Sequence, residues 1–340
     1  LLEGFDDQPL ERQNQLCRLL AALGFYGEAV RLLPVPEPES EWGLHECNAY
    51  LLRLNYRHVL VAEQGRQGRE FDFVFSKTSS APEFLRLRYG VALAATIHHG
   101  LHRDGEQTWR WREIAHAELG RLSGESGCSG FQLGLLTTRF YRAVSFAPFI
   151  SKDLALLRED AEQCEQIARG LVATDDHEEL LRRENMFPML ETCARIWGFL
   201  GDHDRATAMM EEIVNEVDPL DSKAWIQVGE MREKRGQLES AYEAFRQAGR
   251  LRVPLGAIAW FRAARCAEQL GRQQECLDCL LRSLRHCAGG TSALLGVLEI
   301  ARRQSDFYLV GWATTALEEL AERPELGQAE RAWIDEALTQ

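Results

Sequence analysis

A repeat with a period of 35 residues constrains this chain more than any other feature of its sequence. Gly201, Gly236 and Gly271 keep this spacing. Five further sets of residues keep it too: Leu190, Trp225 and Trp260; Ala194, Gly229 and Ala264; Ala206, Ala241 and Cys276; Met210, Phe245 and Leu280; Ile213, Ala248 and Ser283. Self-similarity at a period of this length is typical of repeat proteins whose units stack on their neighbours. The sequence therefore predicts a repeat architecture.

The residue types at these positions predict that each unit is a pair of helices. Alanine or glycine lets two helix backbones approach closely, and large apolar residues fill the holes beside the crossing. Glycine adopts the left-handed conformation that ends many helices, and a proline such as Pro219 or Pro254 prevents a helix from continuing. We expect Trp225 and Phe245 to be buried where helices cross.

The best copy of the repeat, residues 222–256, resembles the tetratricopeptide family. Six residues stand at the family's spacings, with Gly236 at the turn between helices: Trp225, Val228, Gly229, Ala241, Phe245 and Ala248. The copy departs from the pattern at Arg232, where the family favours an aromatic residue, and each unit is one residue longer than the usual 34. The resemblance implies an all-α fold, a right-handed α-solenoid of helix hairpins, and a concave groove that binds a peptide or a partner protein.

We divide the chain into three parts. Residues 1–39 form a tetratricopeptide-like helix pair, residues 40–185 a diverged helical region, and residues 186–340 the clear repeats with a degraded pair at 292–323 and a capping helix at 328–338. Apolar spacing in the middle part predicts helices near 41–64, 83–102, 106–122, 131–146 and 151–172. Residues 63–82, which include the alternating sequence FDFVF, and residues 123–130 are predicted to be surface loops. About two-thirds or more of the chain should be helical, without a sizeable sheet.

Composition narrows the classes of partner and compartment. The net charge of −13 argues against nucleic acid, whose binding requires basic residues on phosphates. The sequence contains no uncharged apolar run long enough to predict a membrane span. The first residues do not resemble a secretion signal. We therefore expect a cytoplasmic protein. Nine scattered cysteines predict free thiols. Only four of 39 basic residues are lysines, a bias that favours a GC-rich bacterium such as an actinomycete.

Two patterns could bind a metal, but neither has a complete set of ligands. Glu113 and His116 share a helix face in the spacing that di-iron bundles use, yet a second such pair is missing from the sequence. A surface salt bridge between them is the preferred interpretation. His98, His99 and His102 cluster at a predicted helix end, where cations favour the helix dipole. We expect no metal and no cofactor.

Two other patterns also favour packing over chemistry. Cys276 and Cys279 form a CxxC spacing, but Cys276 takes the place of an alanine in the repeat, and no strand precedes it as in redox motifs. The aromatic-rich segment 131–150 could line a pocket for an apolar ligand. Because Arg139 and Arg142 interrupt it and its spacing suits a buried helix, a role in the core is preferred.

Projection of the repeat places four residues toward the groove, one from the ninth position of each unit: Arg195, Glu230, Arg265 and Ile300. Phe261, from a fifth position, joins them. Arg195 and Arg265 suit acidic partners because a guanidinium binds carboxylates through two hydrogen bonds. A solvated face, or one paired within the chain, is the open alternative for these two arginines. The lysines and asparagines with which chaperone-binding family members hold a terminal carboxylate are not reproduced here.

Two functions remain open at this point. The first is a non-catalytic adaptor that binds a peptide or partner protein in the groove. The alternative is an enzyme, or an essential enzyme subunit, of bacterial specialised metabolism with a pocket among the helices of residues 40–185. No glycine-rich phosphate loop and no nucleophile or zinc-protease motif favours the alternative.

Overall fold

Helices make up about 80% of the chain. A computed structural model describes residues 5, 7–60, 66–124, 127–251 and 255–339, and no strand occurs among them. The predicted helical class is confirmed. Pro254 lies outside the described residues, so its proposed role after the second helix of a unit stays a prediction.

The chain divides into two compact units, Leu1–Gly201 and Asp202–Gln340. The helices of the first unit are α1 (Leu10–Ala22), α2 (Tyr26–Leu32), α3 (Leu44–Leu60), α4 (Arg66–Lys77), α5 (Leu85–Leu101), α6 (Gly105–Gly124), α7 (Gly130–Val144), α8 (Phe146–Ser151), α9 (Leu154–Arg169) and α10 (Asp176–Phe199). A short 3-10 turn, Pro82–Phe84, precedes α5. The division into residues 1–39, 40–185 and 186–340 remains a prediction.

The second unit consists of consecutive helices, and each helix packs against the next one along the chain. They are α11 (His203–Glu212), α12 (Ser222–Lys234), α13 (Leu238–Arg250), α14 (Gly256–Gln269), α15 (Gln273–His286), α16 (Thr291–Gln304), α17 (Phe307–Ala321) and α18 (Gln328–Thr339). A π-helical segment, Ile213–Val217, continues α11. The degraded fourth pair is α16 with α17, and α18 is the predicted terminal helix.

The turns within the helix pairs have the predicted left-handed residue. Gly236 and Gly271 both have φ of +72°. Gly201, which ends the first unit, has φ of +86°. At the Gly236 turn the Gln237 N–H donates to the Arg232 carbonyl at 2.9 Å, which satisfies a carbonyl that the helix end leaves unpaired. In the degraded pair Ser305 takes this conformation, with φ of 56°.

Burial confirms the register of the repeat. In the five sets of residues that repeat every 35 positions, every member is buried except Trp225. Phe245 is fully buried, as expected, but the expectation of full burial is wrong for Trp225, which is only half-buried. Its indole N–H donates to the Pro219 carbonyl at 2.9 Å, so the ring packs against the loop that precedes α12 as well as against the core.

Large side chains lie directly on glycines of neighbouring helices. A Cβ atom at Gly229 would lie 2.6 Å from Cε1 of Phe245, and one at Gly249 would lie 2.6 Å from Cε2 of Trp260. Both distances are too short for real contacts. The absence of a side chain at these two positions therefore determines how closely α12 approaches α13 and α13 approaches α14.

The structure corrects one loop prediction in the first unit. Residues 66–77, which include the FDFVF sequence, form helix α4 and not a surface loop. Phe71 and Val74 are buried in a core that also contains Trp111 of α6 and Phe140 of α7. Phe71, Val74 and Phe75 follow the i, i+3, i+4 spacing of one helix face, which fits this segment better than strand alternation. The second predicted loop is shorter than expected, since α6 extends to Gly124.

Two nearly buried ion pairs link helices of the first unit. Arg88 of α5 donates to Glu118 of α6 at 2.9 Å, and Arg112 of α6 donates to both carboxylate oxygens of Asp160 in α9, at 2.6 and 2.8 Å. Burial raises the pKa of Asp160, and the hydrogen bonds from Arg112 oppose that shift. A buried charge that lost its partner would be strongly destabilising, so these pairs restrict how the helices can pack.

Within the described part of the chain, no helix combines the length and apolar character that a bilayer span requires.

We expect Phe245→Ala to lower the free energy of unfolding by about 3–5 kcal/mol, because a fully buried aromatic ring is removed. Trp225→Ala should lower it by less, since that ring keeps contact with solvent. Urea unfolding followed by circular dichroism measures both losses. Equal losses would contradict the difference in packing between the two rings.

Gly229→Ala should destabilise the protein by about 1–3 kcal/mol, because the new methyl group collides with the Phe245 ring. Gly311→Ala is the matched control: Gly311 is an exposed residue of α17, and a Cβ atom there meets nothing within 4 Å. That variant should gain roughly 0.5–1 kcal/mol from helix propensity. A gain in both variants would show that α12 can move away from α13 at little cost.

Candidate binding surfaces

A cleft of about 330 Å³ in the second unit contains three of the residues predicted to face the groove. Phe261 and Arg265 of α14 and Ile300 of α16 line it together. The other lining residues come from α14, α15 and α16: Ala264, Glu268, Cys276, Leu280, Ser292, Leu295, Gly296, Glu299 and Arg303. The first helices of two successive pairs thus provide most of the walls, as the resemblance implies.

Arg265 is the available cation of this cleft. Its side chain is exposed, and it has no ion pair or hydrogen bond from its guanidinium among residues that the structure describes. Arg303, by contrast, is already paired with Glu299 one helical turn earlier. Phe261 is half-buried beside Arg265, and Ile300 is buried. An aromatic face and an unpaired guanidinium therefore lie on the same wall.

Glu230 and Arg195 lie apart from this cleft. Glu230 of α12 is half-buried and accepts a hydrogen bond from Arg262 at 3.4 Å, while Arg262 also binds Glu233 at 2.9 Å. Arg195 belongs to the first unit, where it is exposed and paired with Glu191 at 2.6 Å. Neither side chain lines the cleft that contains Arg265.

The first unit contains a larger cavity of about 490 Å³. Its walls come from five helices, α5, α7, α8, α9 and α10. The lining residues are Leu93, Ile97, Arg139, Arg142, Ala143, Ser145, Phe146, Phe149, Leu157, Thr192, Arg195, Ile196 and Phe199. Segment 131–150 is therefore not only core: Phe140 and Val144 are buried in the core, whereas another face of α7 and α8 lines the cavity.

Arg142 is the unusual residue of this cavity. It is half-buried, its Nε atom is inaccessible to solvent and has no hydrogen-bond acceptor, and burial lowers its pKa. Arg139 and Arg142 both line this cavity, although their charge in an aromatic-rich segment favoured a role in the core. The two arginines in an aromatic-rich helix were in fact the signal for a pocket, since they provide charge at the edge of an apolar cavity.

The three histidines lie at the end of α5, as predicted. His98 and His99 are buried in the last turn, and Nδ1 of His102 lies 2.8 Å from the His98 carbonyl oxygen. They line a polar pocket of about 470 Å³ with Asp72 and Asp104. Among residues with described positions, no group of three or more His, Cys, Asp or Glu side chains could hold a metal ion.

His99 has a perturbed environment. Its Nδ1 lies 3.4 Å from a carboxylate oxygen of Asp104, and its buried Nε2 has no hydrogen-bond partner. Burial lowers the pKa of His99, and Asp104 and Asp72 oppose this shift. The neutral ring is therefore favoured in the folded protein.

The surface salt bridge predicted between Glu113 and His116 is not formed. Both residues are exposed on α6, and the described residues include no ion pair between them. The His116 ring instead packs against Phe140, with ring centroids 5.8 Å apart. A helical spacing of three residues permits contact but does not require it, and the aromatic neighbour comes from α7.

The cysteines of the CxxC spacing are packing residues, as predicted. Cys276 and Cys279 are both buried, and burial raises the pKa of each thiol to about 11. A raised pKa keeps a thiol protonated and unreactive, whereas redox motifs lower it. All nine cysteines are free thiols.

Lowering the pH should destabilise the protein through His99. Because the folded state lowers the pKa of this residue below its ordinary 6.5, the unfolded chain binds the proton first as pH falls through that value. The free energy of unfolding should therefore decrease below about pH 6.5, and His99→Gln should reduce that decrease. Urea unfolding at several pH values measures it. The exposed His116 provides the control variant His116→Gln, and an equal effect of both substitutions would contradict the assignment to His99.

No protein-family profile matches the sequence. No curated protein is significantly similar to it either.

Similarity appears among solved structures. The apo form of RapI matches 98% of this chain and 96% of its own length, with a TM-score of 0.55 and 11% sequence identity. PilF of Pseudomonas aeruginosa matches 73% of this chain and 98% of its own, with a TM-score of 0.42 and 13% identity. A MamA protein matches 56% of this chain and 97% of its own, with a TM-score of 0.41 and 14% identity.

These neighbours are tetratricopeptide-type proteins. At 11% identity the match to RapI is informative about the fold alone, but it extends over nearly the whole chain. Together with the buried repeat positions and the left-handed turn residues, it leads to one conclusion: the chain is a tetratricopeptide-like helical repeat protein with an all-α solenoid fold.

Proposed function

We propose that this protein is a non-catalytic interaction adaptor, and that its second unit binds an acidic segment of a partner protein in the cleft of α14, α15 and α16. The observation that carries the proposal is the position of Arg265. It is an exposed guanidinium without an ion pair among described residues, beside the half-buried ring of Phe261.

The chemistry of this wall suits a protein partner. Arginine and aromatic residues contribute most to the free energy of binding in protein interfaces, and an unpaired guanidinium binds a carboxylate without first breaking an ion pair. Glu268 and the Glu299–Arg303 pair lie in the same cleft, so its charges are mixed. Mixed charge favours a partner segment with a few acidic groups near an apolar side chain over a uniformly acidic one.

We assign Glu230 to partner recognition as a subsidiary contact on the second unit, and we keep Arg195 as a separate candidate contact on the first unit. Each is already in an ion pair, with Arg262 and Glu191 respectively. Binding through them must exchange one ion pair for another, so their contribution should be smaller than that of Arg265.

For compartment and source, the proposal is the cytoplasm of a GC-rich bacterium, such as an actinomycete. Nine free cysteines, seven of them buried, suit a reducing compartment. The shortage of lysine relative to arginine supports the source.

The alternative of an enzyme depends on the cavity of the first unit. Its described lining has arginines, two hydroxyl groups and apolar side chains, but no carboxylate, imidazole or thiol. Those missing groups are the usual general acids and bases, and a hydroxyl group such as that of Ser145 or Thr192 needs such a base beside it to act as a nucleophile. The composition of the lining therefore favours binding over catalysis at this place.

We expect Arg265→Glu to abolish most partner binding, because it places a carboxylate opposite an acidic segment. Phe261→Ala should weaken binding by removing the aromatic contact, and raising the salt concentration should weaken it too, since exposed ion pairs are screened. The measurement is quantitative affinity purification from the native organism, with mass spectrometry of the recovered proteins.

Arg246→Glu is the matched control. Arg246 lies on the second helix α13, pairs with Glu243 and does not line the cleft. The partner is the protein recovered with wild type and Arg246→Glu but lost with Arg265→Glu. Equal recovery with Arg265→Glu and Arg246→Glu would place the binding surface elsewhere, and Arg195→Glu then tests the first unit.

A further inference from the structure

The cavity of the first unit combines an apolar wall with unpaired positive charge. We propose that it binds a small amphipathic carboxylate, a molecule with an apolar body and one anionic head, whose head is held by Arg142 and Arg139. This inference concerns the first unit alone and does not depend on the partner proposed for the second.

The apolar body has a defined place in the cavity. Leu157 and Ala143 at the wall are buried, while the rings of Phe149 and Phe199 are 43% and 49% exposed and pack at a centroid distance of 4.7 Å. Exposed aromatic side chains beside a concave apolar surface are typical of a binding site, because a ligand there removes apolar area from water. The volume of about 490 Å³ is within the range of small-molecule pockets.

The charges select an anion. Neither Arg139 nor Arg142 has an ion pair or a guanidinium hydrogen bond within the residues that the structure describes, and Nε of Arg142 is buried without an acceptor. Glu191, the acidic group that influences Arg142, is paired with Arg195 at 2.6 Å. Three arginines against one glutamate leave two positive charges. A carboxylate in the cavity would accept short charge-assisted hydrogen bonds from the terminal guanidinium nitrogens, which are not sealed from solvent as Nε is.

The polar groups of the cavity favour a small molecule over a peptide. Among the described residues that line the cavity, Ser145 and Thr192 are the only polar side chains apart from the arginines. Both hydroxyl groups already donate to backbone carbonyls, Ser145 to Arg142 at 3.1 Å and Thr192 to Pro188 at 2.8 Å. A peptide backbone would bring several N–H and C=O groups into this cavity without partners, at a cost for each one. An alkyl or aryl carboxylate brings none beyond its head.

The test is isothermal titration calorimetry of the full chain with decanoate, decanol and decyltrimethylammonium at neutral pH. We expect saturable binding of one decanoate per chain, weaker binding of decanol and none of the cation. Arg142→Gln should weaken decanoate binding by about tenfold or more and leave decanol binding unchanged. Phe149→Ala should weaken both, and because this ring is exposed the variant should fold, as circular dichroism will verify.

Arg183→Gln is the matched control, because Arg183 lies on α10 outside the cavity; its decanoate affinity should equal that of wild type. Three outcomes would overturn the proposal. They are absence of saturable decanoate binding up to about 1 mM, an affinity unchanged by Arg142→Gln, and equal affinity for the three probes. Saturable binding of a short leucine-terminated peptide without binding of decanoate would also overturn it, and would assign the cavity to a chain terminus.

Discussion

The close approach of α12, α13 and α14 depends on two glycines, each of which contacts a large side chain of the next helix. Phe245 rests on Gly229, and Trp260 rests on Gly249. Each ring occupies the space that a Cβ atom would need, so the helices pack at a distance that other residue types would not permit. The position of α14 follows from these contacts. Phe261 and Arg265 belong to α14, so the geometry of the cleft depends on the packing of α14 against α13 and of α13 against α12.

Most of the fold could be predicted because the same packing positions occur in three copies of the repeat, at the same register. Aligned residues such as Ala194, Gly229 and Ala264 share an environment, and each copy supports the interpretation of the others. The first unit offers no such redundancy. Its FDFVF sequence was predicted to lie in a surface loop. The spacing of Phe71, Val74 and Phe75 also fits one helix face, and burial against α6 and α7 shows that the helix forms. A single short pattern therefore gave the wrong structure for α4.

The candidate surfaces could be predicted only in part, for a related reason. Phe261 and Arg265 lie on one helix, so their shared orientation follows from the helical period. Arg142, in contrast, acquires its properties from helices distant in sequence, since α5, α9 and α10 contribute most of the cavity around it. The ion pair of Arg112 with Asp160 spans 48 residues and has no local signal. Sequence patterns predict which residues share an element, but not which elements enclose a charge.

The burial of the cysteines has a consequence for how motion in this protein can be observed. Cys17, Cys47, Cys266, Cys276 and Cys279 lie in the cores of both units, and burial raises each thiol pKa to about 11. Thiolate is the species that reacts with alkylating reagents. These buried thiols should therefore react slowly with alkylating reagents in the folded protein, and faster when the helix that contains them unfolds locally. The chain carries intrinsic reporters of local opening in each unit, while the exposed Cys287 reports the reactivity of a solvent-accessible thiol in the same molecule.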